Sequence, residues 1–146
     1  MSYELKVKRL TEKEVSLKKA TEHSAAVDLR ALSDCWVFPF FKRKIATGFA
    51  VELEEGTCML ILARSGTATK QDLVLANQVG LIDSDYRGQV YIPIRNLGFV
   101  PRQIKSGQRI AQALIIKHEN ISSVVFSETL SSTERGEGGF GHTGSF

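Results

Sequence analysis

Apolar and polar residues alternate along this chain in short runs, and short runs of period two can fold into little besides strands. Tyr3, Leu5 and Val7 alternate with Glu4, Lys6 and Lys8. Ala50-Val51-Glu52-Leu53 and Cys58-Met59-Leu60-Ile61-Leu62 are two more strand candidates, joined by the turn Glu54-Glu55-Gly56-Thr57. Further strands are expected at 90–94, 113–117 and 124–126. Residues two apart share one face of a strand, so each run can bury a face. Many short strands parted by Gly, Asn and Ser turns predict an all-β sandwich or barrel. One short helix is expected between Ser65 and Leu75, where Ala68 and Asp72 fit a single-turn pattern. A length of 146 residues allows one domain with a substantial core.

Charge and composition exclude several classes. Lys plus Arg is 19 and Asp plus Glu is 16, a net charge of +3. That excess permits an anionic ligand without demanding one. The basic clusters Lys6-Val7-Lys8-Arg9, Lys18-Lys19 and Lys42-Arg43-Lys44 are expected to be solvated strand edges or turns, so no nucleic-acid partner is expected. Cys35 and Cys58 sit in apolar surroundings without a Cys-x-x-Cys pair, as reduced core thiols of a cytoplasmic protein would. No apolar run approaches ~18 residues, so neither a signal peptide nor a membrane span is expected. The aromatic run Trp36-Val37-Phe38-Pro39-Phe40-Phe41 predicts either a buried strand or an interface patch.

Several segments carry more chemistry than structure requires. Gly80-Leu-Ile-Asp-Ser-Asp-Tyr-Arg-Gly88 places two carboxylates, a hydroxyl, a phenol and a cation between strand-like runs at 73–76 and 89–94. A glycine at each end would permit sharp turns. Ala63-Arg64-Ser65-Gly66 follows a strand and offers a guanidinium fork, a hydroxyl and an approachable N–H. Ser106-Gly-Gln-Arg-Ile-Ala-Gln112 reads as a turn entering a half-buried strand. Asp28 lies among small and apolar residues from Ala25 to Ala31. A buried acid there needs a partner, a hydrogen-bond network or a hydrated metal, and both a structural and a metal-linked role fit. The chain divides into a β domain at 1–130 and a flexible arm at 131–146. Residues 135–146 hold five of the chain's 12 glycines and cannot fold unaided. A disordered end is one reading. Arg135 and Phe140 framed by glycines suggest instead a flap that orders over a nucleotide, its N–H groups forming an anion-binding concavity.

In order and spacing these segments resemble the five motifs of the trimeric dUTPase family, from Ala25 to Gly144. The 80–88 segment and Arg135-Gly-Glu-Gly-Gly-Phe-Gly-His-Thr-Gly144 are its most specific parts, and the tail with His142 resembles the bacterial branch that phage enzymes share. The resemblance implies hydrolysis of dUTP to dUMP and pyrophosphate with Mg²⁺. That reaction keeps uracil out of DNA and supplies dUMP for dTMP synthesis. It also implies a jelly-roll-like β-sandwich or barrel in a homotrimer with a swapped C-terminal arm.

By the same resemblance Asp83 is the general base for the attacking water. Asn77 and the backbone of Gly80, Leu81, Ile82 and Asp83 read the uracil edge, Tyr86 packs on the sugar, and Tyr91 touches substrate. Arg64, Ser65, Gly66 and Gln112 hold phosphates. Mg²⁺ is held mainly by phosphate oxygens and water, with Asp28 reaching it through water. Phe140 closes over uracil beside Gly141, with Arg135 and His142 near the terminal phosphates. Asp85 is expected to be structural, pairing within its turn. Each site would combine the Arg-Ser-Gly segment, the uracil hairpin and the tail of three different subunits. Ala63, Thr67 and Ala26-Val27 depart from the usual residues of the pattern without removing a reacting group. Two alternatives stay open: a dCTP deaminase of the same fold, against which Asp-Ser-Asp-Tyr argues, and a non-catalytic nucleotide-binding regulator.

Overall fold

Burial alternates along some strands and not others: the run of Tyr3, Leu5 and Val7, expected to bury a face, leaves Val7 41% exposed. In β10 (Tyr91–Asn96), Ile92, Ile94 and Asn96 are buried while Tyr91 and Arg95 are exposed. The computed structural model describes residues 3–139, and among these it contains twelve strands and one short helix. β1 (Lys6–Arg9) pairs with β6 (Phe49–Glu52). β5 (Lys42–Ala46) and β8 (Leu73–Leu75) flank β10 in a three-stranded sheet. β4 (Cys35–Val37) pairs with β11 (Arg102–Ile104). The largest sheet runs β2 (Lys18–Lys19), β3 (Val27–Arg30), β12 (Arg109–Lys117), β7 (Thr57–Leu62), β9 (Gly80–Ile82), and every pairing in the fold is antiparallel. Leu29, Phe49, Met59, Ile61, Leu73, Ile92 and Ile110 from these sheets meet in one core. The expected all-β, jelly-roll-like architecture is the one observed. No helix among the described residues is long and apolar enough to cross a membrane.

Several expectations need correction. The turn before Thr57 forms, with the Thr57 N–H on the Glu54 carbonyl at 3.1 Å. Yet the strands it joins belong to different sheets, β6 with β1 and β7 with β12 and β9. β6 buries Phe49, Ala50 and Val51 in succession, which requires cover on both faces. The helix α1 (Ser65–Gln71) ends at Asp72, whose left-handed φ of 56° turns the chain into β8. Residues 124–126 form no strand, because a strand needs a partner for its backbone groups. Every residue from 117 to 137 is exposed. In the aromatic run only Val37 is buried; Trp36, Phe38, Phe40 and Phe41 lie at the surface.

β12 carries a bulge between Arg109 and Ala111 in its pairing with β3. The bulge explains why Ile110 and Ala111 are both buried although they are adjacent. It also re-aims Arg109 next to the site described below.

Gly48 sits at φ 82°, and a Cβ there would stand 2.9 Å from Leu32 Cδ1 and from Thr11 Cγ2. Gly48→Ala therefore combines left-handed strain with overpacking and is expected to cost about 2–4 kcal/mol. Urea denaturation checks this; an unchanged midpoint would contradict the geometry.

Candidate active site

One group of polar side chains gathers where β3, β12 and the end of β7 meet. In the sheet register Gln112 of β12 faces Asp28 on one side and Leu62 on the other. Gln112 Nε2 donates to the Ala63 carbonyl at 2.9 Å, which holds the turn into α1. Asp28 is buried, and it takes a guanidinium on each oxygen. Arg64 Nε donates to Oδ1 at 2.8 Å, and Arg109 Nη1 to Oδ2 at 3.3 Å. Two cations and one carboxylate leave this corner net positive. A hollow of about 220 Å³ opens beside it, lined by Arg64, Gly66, Thr67, Gln71, Gln108 and Arg109. A Cβ on Gly66 would meet no atom within 4 Å. The N–H groups of Ser65 and Gly66 lie in the first turn of α1, where no intrahelical carbonyl can reach them. The arrangement suits an anion with several oxygens.

The expected residues Asp28, Arg64, Ser65, Gly66 and Gln112 are thus brought together. Arg109, Gln108 and Gln71 were not anticipated as site residues. Arg109 carried no legible signal, since three residues before Gln112 is the opposite face of a regular strand and only the bulge brings it to Asp28.

The 80–88 segment forms a second group, for a reason other than the one expected. Neither Gly80 nor Gly88 has a positive φ; the bend is made at Gln78, with φ 64°. Gly80 is required for close approach, since a Cβ would lie 3.0 Å from the Cβ of Ile61. At Gly88 a Cβ would lie 2.4 Å from the Tyr86 hydroxyl. The Tyr86 ring lies against Gly88 and donates its O–H to the Gln89 carbonyl at 3.0 Å. Residues 80–82 are themselves strand β9, at the edge of the large sheet. Asp83 follows, exposed. Asp85 is also exposed, and the turn is tied by Arg87, whose Nη1 donates to the Ser84 and Tyr86 carbonyls. The expected pairing of Asp85 within the turn is replaced by this contact. Asn77 lies exposed in the turn before β9. Tyr91 accepts from Gln89 Nε2 at 2.8 Å, with Lys44 Nζ 4.2 Å from its ring centroid.

These two groups do not meet within one chain. Ile82 pairs with Met59, so Asp83 continues toward Cys58. Arg64 lies beyond the opposite end of β7. Six residues of extended chain, roughly 20 Å at ~3.3 Å each, part the two levels.

The cysteines are not set up as nucleophiles. Cys58 is buried in β7, and burial pushes the Cys35 thiol up, away from the reactive thiolate. Arg135 Nε donates to the Gly138 carbonyl at 2.8 Å in an exposed local turn. Phe140, Gly141 and His142 lie outside the described residues.

Residues 12–144 match the dUTPase family model. The chain belongs to the dUTPase family. It is 41% identical over 143 residues to the deoxyuridine 5'-triphosphate nucleotidohydrolase of Finegoldia magna, covering 96% of this chain and 99% of that one. It is 39% identical to that of Nautilia profundicola, at 96% and 98% coverage. Among solved structures it is similar to a Staphylococcus bacteriophage 80alpha dUTPase with dUpNHpp, with a TM-score of 0.90, 27% identity, and 98% and 99% coverage.

Removing Asp28 would leave two guanidiniums facing each other without a counter-charge. Asp28→Ala is expected to lower stability by about 2 kcal/mol, less than for a fully buried pair because Arg109 is half exposed. A urea midpoint equal to wild type would show that the ion pairs are not structural.

Proposed function

We propose that Asp83 activates the water with which this dUTPase hydrolyses dUTP to dUMP and pyrophosphate, in a site built jointly by neighbouring copies of the chain. The observation that carries this reading is the separation along β7. A base that activates water at a phosphate must lie within hydrogen-bond reach of that water. The guanidinium that holds the same phosphate must be only a few ångströms further. One copy cannot supply both Asp83 and Arg64; a neighbour can. A homotrimer meets this need, with the 131–146 arm of a third copy closing the site. Phe140 would then cover uracil beside Gly141, with Arg135 and His142 near the terminal phosphates.

Base recognition follows from the edge position of β9. An edge strand presents unpaired backbone N–H and C=O groups. Uracil offers an N3–H donor beside an O4 acceptor, and cytosine reverses both. Backbone groups of Gly80, Leu81 and Ile82, with Asn77, would satisfy uracil and be left unpaired by cytosine, a costly mismatch. The Tyr86 ring, pinned by its hydroxyl and by the bare Cα of Gly88, would pack on the deoxyribose and leave no room for a 2'-hydroxyl. Tyr91 would add a lower wall.

At the other half, the Arg64 bond to Asp28 uses Nε and leaves the Nη pair for phosphate oxygens. Ser65, Gly66 and Gln112 would complete the cradle. Among the described residues no group of three or more His, Cys, Asp or Glu side chains could cage a metal. Mg²⁺ would instead keep several waters and take its other ligands from substrate phosphates. Asp28, with both oxygens on guanidiniums, would touch it only through water. The ion would neutralise charge on the triphosphate. We place the enzyme in the cytoplasm, with the deoxynucleotide pool.

The reaction is tested by supplying Mg²⁺ with dUTP, dCTP, dTTP or UTP and measuring pyrophosphate and ammonia. Pyrophosphate from dUTP alone is expected; ammonia from dCTP would overturn the reading. Asp83→Asn is expected to lower kcat by about 10²–10⁴-fold with KM little changed. A near-wild-type kcat would remove Asp83 from the base role. Site sharing has its own test. Asp83→Asn and Arg64→Ala chains, each inactive alone, are co-expressed. Random assembly into rings should restore about a quarter of wild-type activity. Mixed assemblies with no recovery would mean that each site lies within one chain.

A further inference from the structure

We propose that the aromatic surface around Phe40 docks an extended, acidic segment of a partner protein, anchored by a large apolar side chain. Trp36, Phe38, Phe40, Phe41 and Phe99 are 48%, 57%, 53%, 71% and 86% exposed. Single exposed apolar residues need no explanation, but a contiguous group of five aromatics marks an interaction surface. A hollow of about 670 Å³ opens within it, walled by Trp36, Phe38, Pro39 and Phe41 and rimmed by Lys42 and Arg43.

The surface is held in shape. The Phe40 N–H donates to the Asn96 carbonyl at 2.9 Å, and the Asn96 N–H to the Phe41 carbonyl at 3.1 Å. Asn96 is itself wholly buried, its Nδ2 donating to the Val37 and Val100 carbonyls. The rings of Phe40 and Phe99 meet edge to face, with centroids 5.3 Å apart. Phe40 adopts φ 65°, a conformation that a bulky side chain rarely takes. Glycine would sit there without strain, so the fold tolerates a cost of ~1–2 kcal/mol while presenting a ring to solvent.

Two features choose the occupant. β5 begins at Lys42, directly after the aromatics, and it is an edge strand. Its outer edge is taken at Ala46, whose carbonyl accepts the Leu32 N–H at 2.9 Å, and the part beside the aromatics, at Lys42 to Lys44, can accept an added strand through backbone hydrogen bonds. The residues it brings to the rim, Lys42, Arg43 and Lys44, are all exposed cations. Charge complementarity therefore favours carboxylates on the partner, and a second copy of this face would oppose cation to cation. A polyanion without an apolar anchor fits less well, because it would leave the hollow between Trp36, Phe38, Pro39 and Phe41 unfilled.

The test uses the full-length protein and a phage-displayed library of random dodecapeptides. Selected peptides are expected to carry Trp, Phe or Leu flanked by Asp and Glu. Binding of the synthetic peptide, read by fluorescence anisotropy, should weaken at least about tenfold in the double variant Phe38→Ser/Phe41→Ser. Phe40→Gly, which relieves the backbone, should weaken it too. dUTP hydrolysis should be unchanged in both variants, which separates this result from failure of the active-site reading. The proposal is overturned if no acidic-apolar sequence is enriched, or if the peptide binds both variants as it binds wild type. Concentration-dependent association of trimers that the double variant abolishes would assign the face to a second copy. Binding of oligothymidylate that the same variant abolishes would assign it to nucleic acid.

Discussion

β7 is hydrogen-bonded on both sides, through Gln112↔Leu62 to β12 and through Gly80↔Ile61 to β9. These two registers decide where each reacting group can stand. A slip of one residue would turn Met59 and Ile61 out of the core, so burial locks the alignment. Through β12 the alignment carries on to Asp28, directly across from Gln112. The corner around Arg64 is therefore positioned by sheet pairing, and only its last contacts are made by flexible side chains. Asp28 adds the remaining constraint. A lone buried carboxylate would be costly, and one guanidinium on each oxygen offsets its desolvation while orienting both arginines.

Glycines at the site divide by physical role. Gly80 and Gly88 are small because this chain's own atoms crowd them, Ile61 at one and the Tyr86 ring at the other. Gly66 has open space where its side chain would be. The space beside the first turn of α1 is therefore open, whereas Gly80 is held to a small residue by the branched Ile61 side chain packed against it.

Alternation and short apolar runs made β1, β6, β7, β8, β10 and β12 legible, whereas β2, β3, β5, β9 and β11 were not called as strands. α1 was legible from the single-turn spacing of Ala68 and Asp72, and its end was not, because it depends on Asp72 taking a left-handed φ. The assignment of β6 and β7 to different sheets was hidden for a similar reason: pairing partners are distant in sequence, and a turn looks the same whether or not its arms pair. The segments that gather at Asp28 and Arg64 could be found from their residue types. Arg109 was missed because its role arises from a bulge that periodicity does not reveal. The role of Gly80 and Gly88 was misread as bending because glycine permits a turn and a close approach equally well. Only the neighbouring Ile61 and Tyr86 distinguish the two.

Beyond His118, whose N–H still reaches the Gly56 carbonyl at 3.0 Å, the described chain leaves the body. Ile121, Val124, Val125, Phe126 and Leu130 are each at least 72% exposed. Burying such side chains is worth ~1.5–3 kcal/mol apiece, on the order of 10 kcal/mol together before the entropy of ordering is subtracted. One copy has no surface over this segment to collect that gain. The same copy separates Arg64 from Asp83 along β7. In the proposed assembly a neighbouring copy would meet both needs, its β7 end facing this 80–88 segment and its surface covering residues 121–130. Assembly would then be driven by the apolar arm, and it would bring the two halves of the active site together as a consequence.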